Sequence, residues 1–349
     1  MRIAIGVVLL ATLAGGAVFV HGITGDTDAA HAAEAIVHTS APDIVSTTNT
    51  ADIDTHDEQE ADAAPRNSVS GISATTEQRQ ALEERWGMER IDVTGAWDTA
   101  GTFAPVLVAV LDTGIDPAAT YAHRTTASMG FNGEGYTTDE HGHGTHMADT
   151  IAHIAPNANL LNLKVADKRG RTDSLTVAQA VRWAADHGAD VINISLEVAA
   201  SPELQSAVQH AWDKGTVVVS AAGNSGSTEP AYPAAYDEAI AVAGTNEQDG
   251  LAVLSNHGEW VDIAAPGFKI YAEALGGDYD LETGTSPAAA HVSGVAALLY
   301  GIANDTNDNG LVNDEVREAL ELSATALSVS GTGSGVVDAR EAVSFLLKN

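Results

Sequence analysis

Short apolar runs, rich in β-branched residues and nearly unbroken, recur along the later part of the chain. They are Val106–Leu111, Leu160–Val165, Val191–Ser195, Thr216–Ser220 and Ala239–Val242. Runs of this kind fit strands buried on both faces. Between them the apolar period lengthens to that of a helix over Ser174–His187 and over Pro202–Lys214, the latter closed by Gly215. Strand and helix in alternation predict an α/β fold: a mostly parallel sheet with helices on both faces. Ligands of such sheets bind beyond the carboxyl ends of the strands, so the residues just after each strand are where chemistry is to be sought.

The packed pattern begins near Glu77 and continues to Asn349. Before it, Gly22 to Thr76 is dominated by Ala, Thr, Ser and Asp. Asp52, Asp54, Asp57, Glu58, Glu60 and Asp62 are bunched there without a sustained apolar period. At the start, Ile3 to Val20 is apolar and uncharged behind Arg2, which suits either a cleaved signal peptide or a retained N-terminal anchor. Small residues fit for cleavage stand at Ala30-His31-Ala32. The expected organisation is a signal peptide or membrane anchor over 1–24, an acidic, disordered linker or pro-segment over 25–80, and a folded domain over 81–349. Either form of the first segment puts the rest of the chain outside the cytoplasm, secreted or at the cell surface.

Charge narrows the partners. Against 16 Lys and Arg stand 48 Asp and Glu, a formal net charge of −32 over 349 residues. A field of that sign repels phosphate, which excludes nucleic acid and disfavours anionic lipid. Cys is 0, so disulfides, thiolate metal sites and a cysteine nucleophile are all absent. The hydrophobic fraction of 44% supplies a core large enough to stand without staples.

Three segments carry candidate chemistry. Leu111-Asp112-Thr113-Gly114 ends the first core strand. His141-Gly142-His143-Gly144-Thr145-His146-Met147-Ala148 opens a helix. Gly284-Thr285-Ser286-Pro287 leads through Ala290 to His291-Val292-Ser293-Gly294, a tight turn into an apolar helix. A serine hydroxyl is a weak nucleophile that needs a base, and imidazole is suited to that near neutral pH. The imidazole in turn needs a carboxylate to fix its tautomer and stabilise its cation. Asp112, His143 and Ser286 fit these roles.

In these motifs the chain resembles the subtilisin-family serine proteases, the subtilases, from about Glu84 to Val343; the order Asp, His, Ser is that of subtilisin itself. The resemblance implies a subtilisin-like three-layer sandwich and a serine endopeptidase that cleaves proteins or peptides through an acyl-enzyme, expected to be a monomer. It also implies that Asn224, in Ser220-Ala221-Ala222-Gly223-Asn224, donates to the oxyanion beside the Ser286 N–H. Tyr232-Pro233, Val261–Gly267 and Gly335–Ala339 resemble structural landmarks of the family. The resemblance further assigns substrate binding to Arg169 and Gly170, to Ser195, Leu196 and Glu197, and to Ala222 and Gly223.

Some positions depart from the family. Glu197 stands where glycine usually follows Ser-Leu, and would either favour a basic substrate residue or narrow the cleft. Asp149 replaces a glycine, where a side chain would crowd the core. Pro287 and Ala290 exchange the usual Met and Pro. Lys168, Arg169 and Arg171 concentrate positive charge on the edge expected to pair with substrate. They would either recognise acidic side chains or balance nearby carboxylates.

Asp305, Asn307 and Asn309 resemble the first half of a calcium loop, but Val316 occupies the twelfth position. An Asn/Asp-rich turn capping a helix from about Asn313 is the other reading. No metal is expected for the chemistry, and structural calcium is the one cofactor left open. Zinc at His141, His143 and His146 would leave the serine motif unexplained. The alternative function is a catalytically impaired subtilase acting as a binding module. Gly331–Gly335 lacks the Lys-Ser/Thr of a phosphate loop.

Overall fold

A computed structural model describes residues 85–349. The expected signal or anchor over 1–24 and the linker over 25–80 lie outside the described residues. Seven strands form one parallel sheet: β1 (Val106–Asp112), β2 (Thr125–Gly130), β3 (Ala158–Lys164), β4 (Val191–Ile194), β5 (Val217–Ala221), β6 (Ala239–Thr245) and β7 (Ile263–Pro266). Their order is β2-β3-β1-β4-β5-β6-β7 and every pairing is parallel. Chain direction across the sheet reverses between β1 and β4, so the crevice for chemistry opens at their carboxyl ends. Asp112 closes β1, and Ser195 follows β4.

The strands are buried on both faces because their side chains alternate between two cores. Val106, Val108 and Val110 of β1 point into one core, while Ala109 and Leu111 join the other. The second core is covered by α4 (Ser174–Asp186) and α5 (Pro202–Asp213), each started by a side chain that caps it. Asp173 accepts from the Thr176 N–H, and Ser201 from the Leu204 N–H. The first core is covered by α2 (Val93–Ala100), α3 (His143–Ile154), α6 (Thr285–Tyr300), α7 (Asn313–Leu322) and α8 (Ala339–Lys348), with the short α1 (Trp86–Arg90) at the start of the described chain.

Helix α6 is buried all round, as its unbroken small and apolar residues require. Ser293 ties it to the sheet, its hydroxyl donating to Asn193 of β4 at 2.9 Å. An antiparallel hairpin, β8 (Ile270–Glu273) with β9 (Tyr279–Glu282), lies outside the main sheet and leads directly into the serine turn. Asp149 does not crowd the core. Its carboxylate accepts from Arg85 at 2.6 Å and from the Glu273 N–H at 3.1 Å, tying the first described residue and the hairpin to α3. Among the described residues no helix is long and apolar enough to cross a membrane.

Candidate active site

Helix α3 must approach the end of β1 closely to bring an imidazole to Asp112. Gly144 allows it: a Cβ there would stand 2.2 Å from the Gly114 carbonyl oxygen and 3.1 Å from the Asp112 Cβ. His143, one residue earlier, then sets Nδ1 2.7 Å from Asp112 Oδ1, which also accepts the Thr113 N–H at 2.7 Å. Asp112 is 1% exposed. Burial disfavours a charged ring, yet the Asp112 carboxylate, with the charges of Glu282 and Asp139, outweighs it and lifts His143 to about 9.

Asp139, which the sequence reading passed over, joins the two motifs. One of its oxygens accepts from the His141 and Gly142 N–H groups and from Thr113 Oγ1, and the other from Thr145 N–H and Oγ1. Thr113 Oγ1 in turn accepts the Gly144 N–H at 2.9 Å. Burial opposes its charge, but these donors hold the Asp139 carboxyl below its ordinary value. A lone Asp between two Thr residues and a Gly-rich segment gives no sequence signal, since its partners are fixed only in the fold.

Ser286 is the second residue of α6 and is 7% exposed. Its hydroxyl donates to the Ser195 carbonyl at 3.1 Å, and Ser195 Oγ donates back to the Ser286 carbonyl at 3.2 Å. The serine–imidazole hydrogen bond is therefore open in this arrangement; such bonds commonly tighten only with substrate in place. Asn193, buried and also missed from sequence, donates to Ser195 Oγ at 3.0 Å and so braces the reciprocal pair. Pro287 costs α6 nothing, because the first-turn N–H it lacks has no helical acceptor.

Asn224 follows β5. Its Oδ1 accepts the Thr285 N–H at 2.8 Å, which leaves its NH2 for the cleft it shares with Ser286. That cleft, about 240 Å³, is lined by Ser195, Leu196, Glu197, Gly223, Asn224 and Ser286, among others. Gly223 takes φ +99, a conformation that favours glycine. Ala222 does not line it: the residue is fully buried, its N–H bonded to the Val242 carbonyl, and Ala221 takes its place at the wall.

Gly170 comes up against His141, with a Cβ position 3.6 Å from His141 Nε2, while Arg169 is exposed and outside the cleft. A second cavity of about 470 Å³ shares no lining residue with the first and is lined by His141, Gly142, His146 and Glu282, among others. Burial lifts the Glu282 carboxyl to about 7, with His143 pulling the other way.

The three histidines of the second motif diverge. His143 faces Asp112, and His146, lowered to about 4 by burial, donates from Nε2 to the Ile270 carbonyl. Among the described residues no group of three His, Cys, Asp or Glu side chains is arranged to hold a metal ion. The Asp305–Gly310 turn closes on itself. Asp305 accepts the Asn309 and Gly310 N–H groups, Asn307 accepts the Asn309 N–H, and Asn309 accepts the Leu311 N–H. These are the hydrogen bonds of an Asn/Asp-rich turn. Helix α7 begins at Asn313 as read, but no side chain caps its start.

A hydroxyl at a helix start, an imidazole braced by a buried carboxylate and an amide donor across a shared cleft are the parts of a serine hydrolase. The Subtilase family matches residues 104–339. The chain is 36% identical to a thermophilic serine proteinase of Bacillus sp. (strain AK1), over 75% of this chain and 67% of that protein. It is 38% identical to thermitase of Thermoactinomyces vulgaris, over 75% of this chain and 96% of that protein. It is likewise 38% identical to subtilisin BL of Lederbergia lenta, over 74% and 97%. The chain belongs to the subtilase family and is a serine-type endopeptidase.

Proposed function

We propose that Ser286, His143 and Asp112 are the triad of this endopeptidase, with Asn224 and the Ser286 N–H as its oxyanion donors. Ser286 Oγ attacks the scissile carbonyl while His143 Nε2 takes its proton and passes it to the leaving amine. Asp112 holds Nδ1–H, so the ring presents Nε2 to the serine and its cation is stabilised. The carbonyl carbon turns tetrahedral, and its oxygen gains charge between the Asn224 amide and the Ser286 N–H. Collapse releases the amine and leaves the acyl-enzyme, which water hydrolyses with His143 again as base. No step calls for a metal or cofactor.

The observation that carries this reading is the 2.7 Å contact between His143 Nδ1 and the buried Asp112. An imidazole is held there in one tautomer by a carboxylate, at the first residue of the helix that the His motif opens. Labelling of the purified protein with a fluorophosphonate tests it, beside Ser286→Ala and with casein hydrolysis in parallel. The expected result is a label on Ser286, lost in the variant, together with casein cleavage. Folded, processed protein that takes no label and cleaves nothing would favour the impaired binding module instead.

The unit that does this work is taken to be 81–349, with an extracytoplasmic setting supported by the apolar run Ile3 to Val20 and the polar segment after it. In the loop Asp167–Arg171, Arg171 is held by Asp167 at 2.6 Å. That pairing favours charge balance within the loop over recognition of acidic substrate residues.

A further inference from the structure

The cleft beside Ser286 carries a charge that the reaction does not use. Glu197, two residues past Ser195, lines it with Leu196, Gly223 and Asn224. Its Oε2 lies 2.7 Å from the point where a Cβ on Gly223 would stand. The acid therefore spans the slot between the wall that follows β4 and the wall that follows β5. Glu197 is exposed, and no described residue donates to it or pairs with it.

The reaction geometry decides which substrate residue meets this acid. The attacked carbonyl oxygen sits between the Asn224 amide and the Ser286 N–H, at the lip of the Glu197 cleft. His143, which protonates the leaving amine, follows His141 and Gly142, and those two border the other cavity. The residue whose carbonyl is attacked therefore sends its side chain toward Glu197, and the leaving residue goes the other way.

We propose that Glu197 makes this protease select lysine or arginine on the acyl side of the scissile bond. The inference rests on the triad assignment above. An apolar side chain in the slot would strip water from the carboxylate and offer nothing in return, which disfavours it. A basic one lays its methylene stem between Leu196 and Gly223 and brings its charge to the carboxylate, where a charge-assisted hydrogen bond forms. The net charge of −32 adds a field that draws cationic peptides toward the molecule.

The test uses protein whose active-site concentration is fixed by fluorophosphonate titration. Peptide anilides identical except for Arg, Lys, Ala, Leu or Phe at the acyl-side position are compared for kcat/KM. Arg and Lys are expected to lead, with a margin that shrinks as salt is raised. Glu197→Gln, which keeps the shape and removes the charge, should lower the Arg-to-Ala ratio about tenfold. Glu197→Gly should open the slot to Phe.

The proposal is overturned if Phe or Leu leads in the natural protein, or if Glu197→Gln leaves the Arg-to-Ala ratio unchanged. A lead for Ala with no effect of charge would mean that Glu197 only narrows the slot, which also overturns it. Protein that labels and cleaves casein but shows any of these outcomes retains the triad assignment. Protein that neither labels nor cleaves loses both.

Discussion

Thr285 pins Asn224 by its carbonyl end: the Thr285 N–H donates to Asn224 Oδ1 at 2.8 Å and Thr285 Oγ1 approaches the same atom at 3.2 Å. Because the carboxamide is planar, fixing Oδ1 directs Nδ2–H away from Thr285 and into the cleft. The same Oγ1 accepts the Gly223 N–H at 3.0 Å, so one buried threonine sets both the aim of the donor and the wall beneath it. Asn224→Ala should lower kcat by about 10²–10³ with little change in KM, the magnitude known for the equivalent donor in subtilisin itself. Thr285→Val retains the N–H bond but loses the two hydroxyl contacts, and should lower kcat by about tenfold. Equal losses in kcat and 1/KM for Thr285→Val would point to a distorted cleft rather than a misaimed donor.

With His143 as the proposed base, its proton sets the expected pH range of the enzyme. Attack needs the free imidazole, and with the ring lifted to about 9 its cation dominates at neutral pH. The expected kcat/KM therefore climbs with pH and levels off only above about 9. Glu282, itself lifted to about 7 by burial, is an anion above that pH and contributes to the field that retains the proton. Glu282→Gln should move the acid limb to lower pH and raise kcat/KM between the two values, while the alkaline plateau changes little. The stability linkage has the opposite course: the folded value lies above the ordinary 6.5, so the stabilisation is complete below 6.5 and lost as pH rises through 9. An acid limb that does not move in Glu282→Gln would remove Glu282 from this account.

Arg85 and Asp149 form an ion pair with side-chain exposures of 5% and 0%. Burial alone would raise the Asp149 carboxyl, but His153 and Arg85 outweigh it and hold it at about 2. The depressed value means that its stabilisation is present above the ordinary 3.8 and lost as pH falls toward 2. Arg85→Ala leaves the buried carboxylate with His153, at 3.0 Å, in place of a permanent cation and should destabilise the domain by about 3 kcal/mol. Removing both charges in Arg85→Met with Asp149→Leu should recover much of that loss, as read from urea midpoints at pH 7. A double variant no more stable than Arg85→Ala would mean that the bond to the Glu273 N–H matters more than the pair.

What the sequence made legible follows from what each part of the fold demands of local composition. Strands β1, β4, β5 and β6 announce themselves because burial on both faces leaves almost no room for polar residues. Strand β2 does not: Thr125–Gly130 lies at the sheet edge with its side chains largely exposed, and carries no apolar run. The hairpin strand Tyr279–Glu282 is equally polar and exposed. The segments around Asp112, His143, Ser286 and Asn224 stand out in the sequence because each has a glycine within two residues, beside a strand end or a helix start. Asp139, Asn193 and the Arg85–Asp149 pair were not, because their partners are distant in sequence and meet only once the sheet and α3 are assembled. Asp149 looked like a steric intrusion for the same reason: its cation stands 64 positions away.

Asp139 is a positioning residue for the His143–Asp112 pair, and its removal should separate chemistry from binding. It caps the turn that starts α3 and, through Thr113 Oγ1, ties that turn to the residue beside Asp112. Asp139→Ala frees several N–H and O–H donors in a buried place and lets α3 shift against β1. A displacement of the imidazole by a fraction of an ångström is enough to cost one to two orders of magnitude in kcat. KM should stay near its original value, since Glu197, Gly223 and Asn224 lie on other elements. Asp139→Asn keeps an acceptor for part of the network and should recover part of the rate. A destabilised but otherwise ordinary enzyme would show full kcat below its melting range, so kcat and the fluorophosphonate labelling rate are to be measured well below that range. A full labelling rate in Asp139→Ala would reduce its role to stability alone.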